Sequence, residues 1–237
     1  MAADAPTYRT LVTSFTDFLT VAIHTILYER AIYPETSFLL ARKYNFPVRQ
    51  NRHPKVCEWI NDAVAAVENE LLKCTVKHIA VVIYTPQNQP LERYVFDVSR
   101  FPSLSAKDVD LPMQRLANGE SMPVLPKVDM EEQFRATMSK LTNCGTKLKP
   151  LPDACTFTIA IELKVDREAP VSHPQPWVPV QPRLDDDEKE VSKSAKALPV
   201  RAVAAGEMVF ETWIEETNWK PVESSTPDSD SVGTPKS

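Results

Sequence analysis

At 237 residues and 43% hydrophobic composition, the chain is long enough for one domain with a real core plus tails, and its formal net charge of −5 argues against the clustered basic surface that sequence-independent nucleic-acid binding needs. Glycine is scarce: Gly119, Gly145, Gly206 and Gly233 are too scattered for a phosphate-cradling loop, which speaks against a P-loop enzyme, a kinase or a Rossmann dehydrogenase. No apolar run reaches the roughly 18 residues of a membrane span, and the start lacks a basic-then-apolar signal pattern, so the chain reads as cytosolic or nuclear.

Residues 1–7 read as a flexible leader. From about Tyr8, the apolar positions Leu11, Phe15, Phe18, Leu19, Ala22 and Ile26 follow helical spacing, and Val12, Ile23 and Leu27 widen the stripe until little of the circumference is polar. The pattern predicts a long helix at the centre of the domain, stopped at Tyr33-Pro34 because proline disfavours helical geometry in the residue before it. Residues 35–52 read as an irregular link with one apolar patch, Phe38-Leu39-Leu40. A second helix opens near His53-Pro54, with a core stripe of Val56, Ile60, Ala63, Val67 and Leu71. Trp59 sits at the edge of that stripe, where an aromatic either closes over the core or stands as a contact residue.

Lys77 to Tyr84 is β-branched-rich and predicts a central strand buried on both faces. A turn over residues 86–90 and a return strand from Leu91 to Val98 complete a hairpin. Residues 101–128, with Pro102, Pro112, Pro123 and Pro126, read as a mobile surface insertion. A third helix is expected from Asp129, with Glu132 completing a capping box, a stripe of Met130, Phe134, Met138 and Leu141, and a glycine stop at Gly145. From Cys155 to Val165 the chain alternates: Cys155, Phe157, Ile159, Ile161, Leu163 and Val165 face one way, Thr156, Thr158, Glu162 and Lys164 the other. This is an antiparallel strand with one face on helices.

Composition then shifts. A proline-rich stretch surrounds Trp177, and Asp185-Asp186-Asp187-Glu188 reads as a solvated acidic linker. Order returns at Leu198-Pro199-Val200 and in a last strand from Glu207 to Glu216, where Met208, Phe210 and Ile214 oppose Val209, Glu211, Trp213 and Glu215. Trp213 thus lies on the more polar face, as a partner contact or as cross-strand packing. Residues 221–237 read as a disordered tail in which Thr226-Pro227 and Thr234-Pro235 fit proline-directed phosphorylation.

The search for chemistry is negative. Cys57, Cys74, Cys144 and Cys155 form no CxxC and read as reduced, mostly buried thiols. His24 falls in the buried helix and reads as a core histidine. Glu131-Glu132 suit a helix start rather than a catalytic pair, and no serine or cysteine stands in a nucleophile elbow. The chain is expected not to be an enzyme, with no metal and no cofactor. A metal site built from the acidic run and His173 is the enzyme alternative.

Several blocks together resemble the HORMA domain family: Ile26-Leu27-Tyr28-Glu29-Arg30-Ala31-Ile32-Tyr33-Pro34, Lys43-Tyr44-Asn45, Val81-Val82-Ile83 and Arg93-Tyr94-Val95-Phe96-Asp97. The resemblance implies an α+β fold, three helices packed on an antiparallel sheet with a C-terminal safety belt. It divides the chain into a leader (1–7), a core (8–166), a belt with its acidic linker (167–220) and a tail (221–237). Asn45-Phe46-Pro47-Val48 with His53-Pro54, Cys155-Thr156-Phe157-Thr158-Ile159, and the Pro176-Trp177, Leu198-Pro199-Val200 and Ile214-Glu215-Glu216 blocks are similar to the branch that serves DNA polymerase zeta. That branch implies a non-catalytic, nuclear adaptor in translesion DNA synthesis, present also in cytoplasm. Its belt would hold a proline-containing segment of the catalytic subunit as an added strand, and it would bridge to the C-terminal domain of a deoxycytidyl-transferase scaffold polymerase. The alternative branch is a spindle-checkpoint protein that binds a mitotic motif peptide. Carried over by position, the resemblance assigns Tyr33, Trp59 and Trp177 to the partner peptide. It assigns Leu198, Val200, Glu211 and Trp213 to the second partner, and Ala31 and Arg135 to a HORMA dimer contact. Neither nucleic acid nor membrane is an expected direct partner.

Overall fold

The computed structural model describes residues 6–105, 107–117, 120–164 and 196–217. Helix α1 (Tyr8–Glu29) is its axis. Thr7 opens the helix with a reciprocal cap: its hydroxyl accepts the Thr10 N–H, and the Thr10 hydroxyl accepts the Thr7 N–H at 2.8 Å. Leu11, Val12, Phe15, Phe18, Leu19, Ala22, Ile23 and Leu27 are completely buried. The helix has the length and hydropathy of a membrane span, although its polar interruptions keep any one apolar run short; 67% of that window is buried inside the protein, which marks a core helix. It ends at Glu29, short of the expected Tyr33-Pro34 stop. The Arg30 N–H closes the last turn on the Ile26 carbonyl and the Ala31 N–H on the Tyr28 carbonyl, and Ala31, at φ 51°, turns the chain out of helical geometry.

Residues 35–52, expected as an irregular link, form a 3-10 turn and a hairpin of β1 (Phe38–Lys43) and β2 (Phe46–Asn51). The two-residue loop places Tyr44 and Asn45 at φ 52° and 55°, the positive angles of a primed hairpin turn. Asn45 stands where glycine usually signals such a turn, and the ring of Tyr44 before it packs on Phe134, 5.1 Å away. The hairpin lies on α1, where the His24 Nδ1 accepts the Asn51 N–H at 3.3 Å.

Helix α2 (Pro54–Leu71) starts on its proline as expected and buries Ile60, Val64, Val67 and Leu71. Strands β3 (Val76–Tyr84) and β4 (Pro90–Asp97) pair antiparallel. Within residues 101–128, expected as a mobile insertion, the described residues are tied down. Phe101, Val109 and Val124 are buried, Arg9 grips Asp110 with two bonds, and a short hairpin joins β5 (Arg115–Ala117) to β6 (Glu120–Met122). Helix α3 (Lys127–Cys144) begins two residues before Asp129, because the Pro126 carbonyl already accepts the Met130 N–H at 2.9 Å and no side chain caps the end. Gly145 stays right-handed and carries the chain into a 3-10 turn rather than stopping it.

Strands β7 (Thr156–Leu163), β8 (Lys196–Ala205) and β9 (Met208–Glu216) complete a five-stranded antiparallel sheet in the order β7-β3-β4-β9-β8. Phe96 and Phe210 on its inner face meet Phe15 and Phe18 of α1 and, through them, Phe134 of α3, which stacks on Phe18 at 4.7 Å. This is the expected α+β layering. Residues 165–195 join β7 at one edge of the sheet to β8 at the other. The edges lie four strand spacings apart, roughly 19 Å, whereas a segment of that length reaches roughly 100 Å when extended.

Two measurements check this core. Gly206, at φ 62°, turns β8 into β9, and a Cβ there would lie 2.1 Å from the Val124 carbonyl oxygen, which accepts the Glu207 N–H. Gly206→Ala is expected to cost about 2–4 kcal/mol in urea denaturation. Burial lowers the His24 pKa from 6.5 to about 4, so the fold holds it neutral while the unfolded chain protonates first. Stability is therefore expected to fall by on the order of 3 kcal/mol as pH drops from 6.5 to 4, a slope that His24→Gln removes.

Candidate functional site

The outer edge of β7 carries no strand partner among the described residues. Its inner-face residue Phe157 is the point on which two of the expected peptide-site residues converge. Trp59 of α2 meets the Phe157 ring edge-on at 5.0 Å, and Tyr33, from the loop after α1, meets it at 6.4 Å and 87°. All three are half-buried, so each keeps part of its surface uncovered beside this edge strand. Unpaired backbone N–H and C=O groups beside an aromatic wall are what an extended peptide needs to add as a strand: main-chain bonds along the edge and a trough for alternate side chains. Phe157 reads from the sequence only as a strand residue; the antiparallel register that brings β7 to the sheet edge is what gives it this place. Trp177 lies outside the described residues.

Tyr33 is held in place by a polar knot three residues upstream. The Arg30 guanidinium donates to both carboxylate oxygens of Glu92 on β4, at 2.6 and 2.9 Å, and to the Lys149 carbonyl at 2.6 Å. Side-chain exposure of the pair is 7% and 1%. The Tyr94 hydroxyl donates to Glu92, and Glu216, paired with Glu92 across β4 and β9, accepts the Lys149 N–H at 2.8 Å. Burial pushes the Glu92 carboxyl above its usual range, against the hydrogen bonds and charge of Arg30. Burial also works against the Arg30 charge, but the bond and charge of Glu92 outweigh it and hold the guanidinium above its ordinary value.

The four residues expected at a second partner surface divide between the faces of the β8–β9 edge. Leu198 and Val200 pack against the core, Leu198 opposite Ile214. Glu211 and Trp213 face outward. The Trp213 ring stands perpendicular to His78 at 5.6 Å, packs on Val95 and its neighbours, and donates its Nε1–H to Glu215 at 2.9 Å. A partner touching all four therefore has to wrap the β8 edge. Of the expected dimer positions, Ala31 is exposed beyond the end of α1, and Arg135, on α3, approaches Glu132 at 3.8 Å; no described contact joins the two.

The four cysteines are free thiols, and burial pushes the Cys144 thiol up to about 11. Among the described residues no His, Cys, Asp and Glu group has metal-site geometry; His173 and the acidic run lie outside those residues.

A central apolar helix, two more helices on the same face of an antiparallel sheet, and C-terminal strands reached from the opposite sheet edge define the class. The chain belongs to the HORMA domain family, whose pattern matches residues 12–206. It is thus a non-catalytic protein of the kind that works by binding segments of other proteins. It is 34% identical over 203 residues to the DNA polymerase zeta processivity subunit of Schizosaccharomyces pombe, covering 85% of this chain and 91% of that one. It is 30% identical to the mitotic spindle assembly checkpoint protein MAD2B of Danio rerio, covering 86% and 90%. Among solved structures, a chain of the mitotic checkpoint complex superposes with a TM-score of 0.62 at 19% identity, covering 86% of this chain and 97% of that one. C. elegans HTP-2 bound to the HIM-3 closure motif gives 0.61 at 12% identity, covering 90% and 92%. At these identities the two structures speak for the fold.

The knot sets a testable cost. Glu92→Gln leaves the Arg30 charge buried without its counter-ion and is expected to destabilise the protein by about 3–5 kcal/mol, whereas Arg30→Met with Glu92→Leu is expected to recover most of that loss. Urea denaturation of the three proteins at neutral pH measures both.

Proposed function

We propose that the chain is the non-catalytic adaptor subunit of translesion DNA polymerase zeta. The free edge of β7 takes a proline-containing segment of the catalytic subunit as an added strand, with Tyr33, Trp59 and Phe157 forming the wall beneath it. The convergence of Trp59 and Tyr33 on Phe157 at an open sheet edge is the observation that carries this reading, and the similarity to the fission-yeast processivity subunit gives it its partner. In this reading residues 167–220 act as a safety belt, Trp177 adds to the peptide contacts, and the peptide leaves only when the belt opens, so its dissociation is slow. Leu198, Val200, Glu211 and Trp213 bridge to the C-terminal domain of the deoxycytidyl-transferase scaffold polymerase. Ala31 and Arg135 belong to a HORMA dimer contact. The protein acts in the nucleus, with a cytoplasmic pool, in DNA-damage tolerance and repair. A checkpoint-type role, binding a mitotic motif peptide at the same edge, is the second reading, favoured by the name of the vertebrate relatives.

Titration calorimetry with the proline-containing segment of the cognate catalytic subunit separates the two. Saturable binding is expected, weakened at least about tenfold by Trp59→Ala and by Trp177→Ala, as for aromatic anchors at an interface centre, with unchanged circular dichroism. Binding of a mitotic motif peptide instead, with none of the polymerase segment, transfers the chain to the checkpoint role.

A further inference from the structure

We propose that the free edge of β1 is a second strand-docking site, distinct from β7, for an acidic, extended segment of a partner protein that carries apolar side chains. The first observation is charge. Residues 36–57 contain Arg42, Lys43, Arg49, Arg52 and Lys55 and no acid, in a chain whose net charge is −5. Lys43 reaches Asp17 at 3.4 Å and Arg49 lies over the Tyr28 ring. The Arg42 guanidinium donates to Asn45, and that of Arg52 to the Thr36 carbonyl at 2.7 Å. Neither of the last two meets a carboxylate among the described residues.

The second observation is backbone geometry. The Arg52 N–H donates to the Ser37 carbonyl at 2.9 Å, which makes Phe38–Asn51 a non-hydrogen-bonded pair. By alternation the Leu40–Arg49 and Arg42–Pro47 pairs are of the same kind, as Pro47, which has no N–H, requires. The N–H and C=O groups of Leu40 and Arg42 therefore point away from β2. The outward N–H of Phe38 is already taken by the Glu35 carbonyl, but those of Leu40 and Arg42 have no backbone partner among the described residues.

The third observation is apolar exposure on the same strand: Leu40 is 64% and Leu39 40% exposed, set between Arg42 at one end and Arg52, clasped to Thr36, at the other. Together these select the occupant. Like charges oppose pairing with the same strand of a second copy. Nucleic acid would use the cations but neither the strand edge nor the leucines. An acidic strand uses all three, with main-chain bonds at Leu40 and Arg42, apolar contact with the leucines, and carboxylates on the two arginines.

The test is fluorescence anisotropy with three labelled probes on the full chain: a synthetic peptide of alternating valine and aspartate, its counterpart with lysine for aspartate, and a single-stranded oligonucleotide. Leu40→Pro removes the outward N–H without touching a bond of the hairpin, and Arg42→Glu with Arg52→Glu reverses the end charges; an unchanged thermal midpoint shows that each variant is folded. The acidic peptide is expected to bind saturably and to weaken at least about tenfold in both variants and at high salt. The lysine peptide is expected not to bind, and Trp59→Ala to leave acidic-peptide binding intact. Four results overturn the proposal: no binding of the acidic peptide, loss of its binding in Trp59→Ala but not in Leu40→Pro, tighter binding of the oligonucleotide than of the peptide, or self-association of the wild type that Leu40→Pro abolishes. None of these overturns capture of the polymerase segment at β7, which Leu40→Pro is expected to leave unchanged.

Discussion

The buried pair of Arg30 and Glu92 is the constraint on which the rest of the architecture hangs. It ties together the end of the central helix, the middle strand of the sheet, the loop that leads into β7 and, through Lys149 and Glu216, the end of β9. Without the guanidinium, the Glu92 and Glu216 carboxylates would face each other across neighbouring strands in a nearly dry environment. A buried ion pair adds little net stability over an apolar replacement of similar volume. Its effect here is geometric: it fixes where α1 stops and therefore where the chain carrying Tyr33 begins.

From that fixed point the molecule divides into a packed interior and unfilled edges. Interlocked aromatic rings from α1, α3, β4 and β9 make a core that resists deformation. The main sheet ends at β7 and β8 with unpaired strand edges among the described residues, and the small hairpin ends at β1. Open edges invite pairing with other chains. Here they differ in character: β7 has an aromatic wall beneath it, whereas β1 has exposed leucines between arginines. A binding protein built this way separates its partners by what lies beside each edge, because the main-chain bonds are the same everywhere.

Much of this was legible in the sequence, for reasons particular to each element. The stripe of α1 and the alternation of β7 and β9 are strong periodic signals: the predicted inward residues of α1 and β9 are buried, and in β7 Ile159 is buried while Phe157, Ile161 and Leu163 are partly covered. The hairpin of β1 and β2 was not legible, because Tyr44 and Asn45 take left-handed angles without a glycine to announce them. The start of α3 differs from its sequence signal because a backbone carbonyl opens it while Asp129 and Glu132 mimic a cap. Of the site, Trp59 and Tyr33 were identified through family resemblance. Periodicity leaves Trp59 between core and contact, and in the structure its ring packs on Phe157 and is half-buried. The knot was invisible, since nothing local marks Arg30 and Glu92 as partners 62 positions apart.

The central place of α1 has a consequence for how the protein is made. The helix is among the first parts of the described chain to be synthesised, yet the rings that enclose Phe15 and Phe18 come from Phe96, Phe134 and Phe210, spread over the following two hundred residues. At about 5–20 residues per second, a ribosome needs on the order of ten to forty seconds to deliver the last of them. Until then the 22-residue apolar helix lacks part of the set of rings that encloses it. Folding cannot be completed piecemeal behind the ribosome, and the nascent chain is a natural client for chaperones until β9 emerges and closes the core.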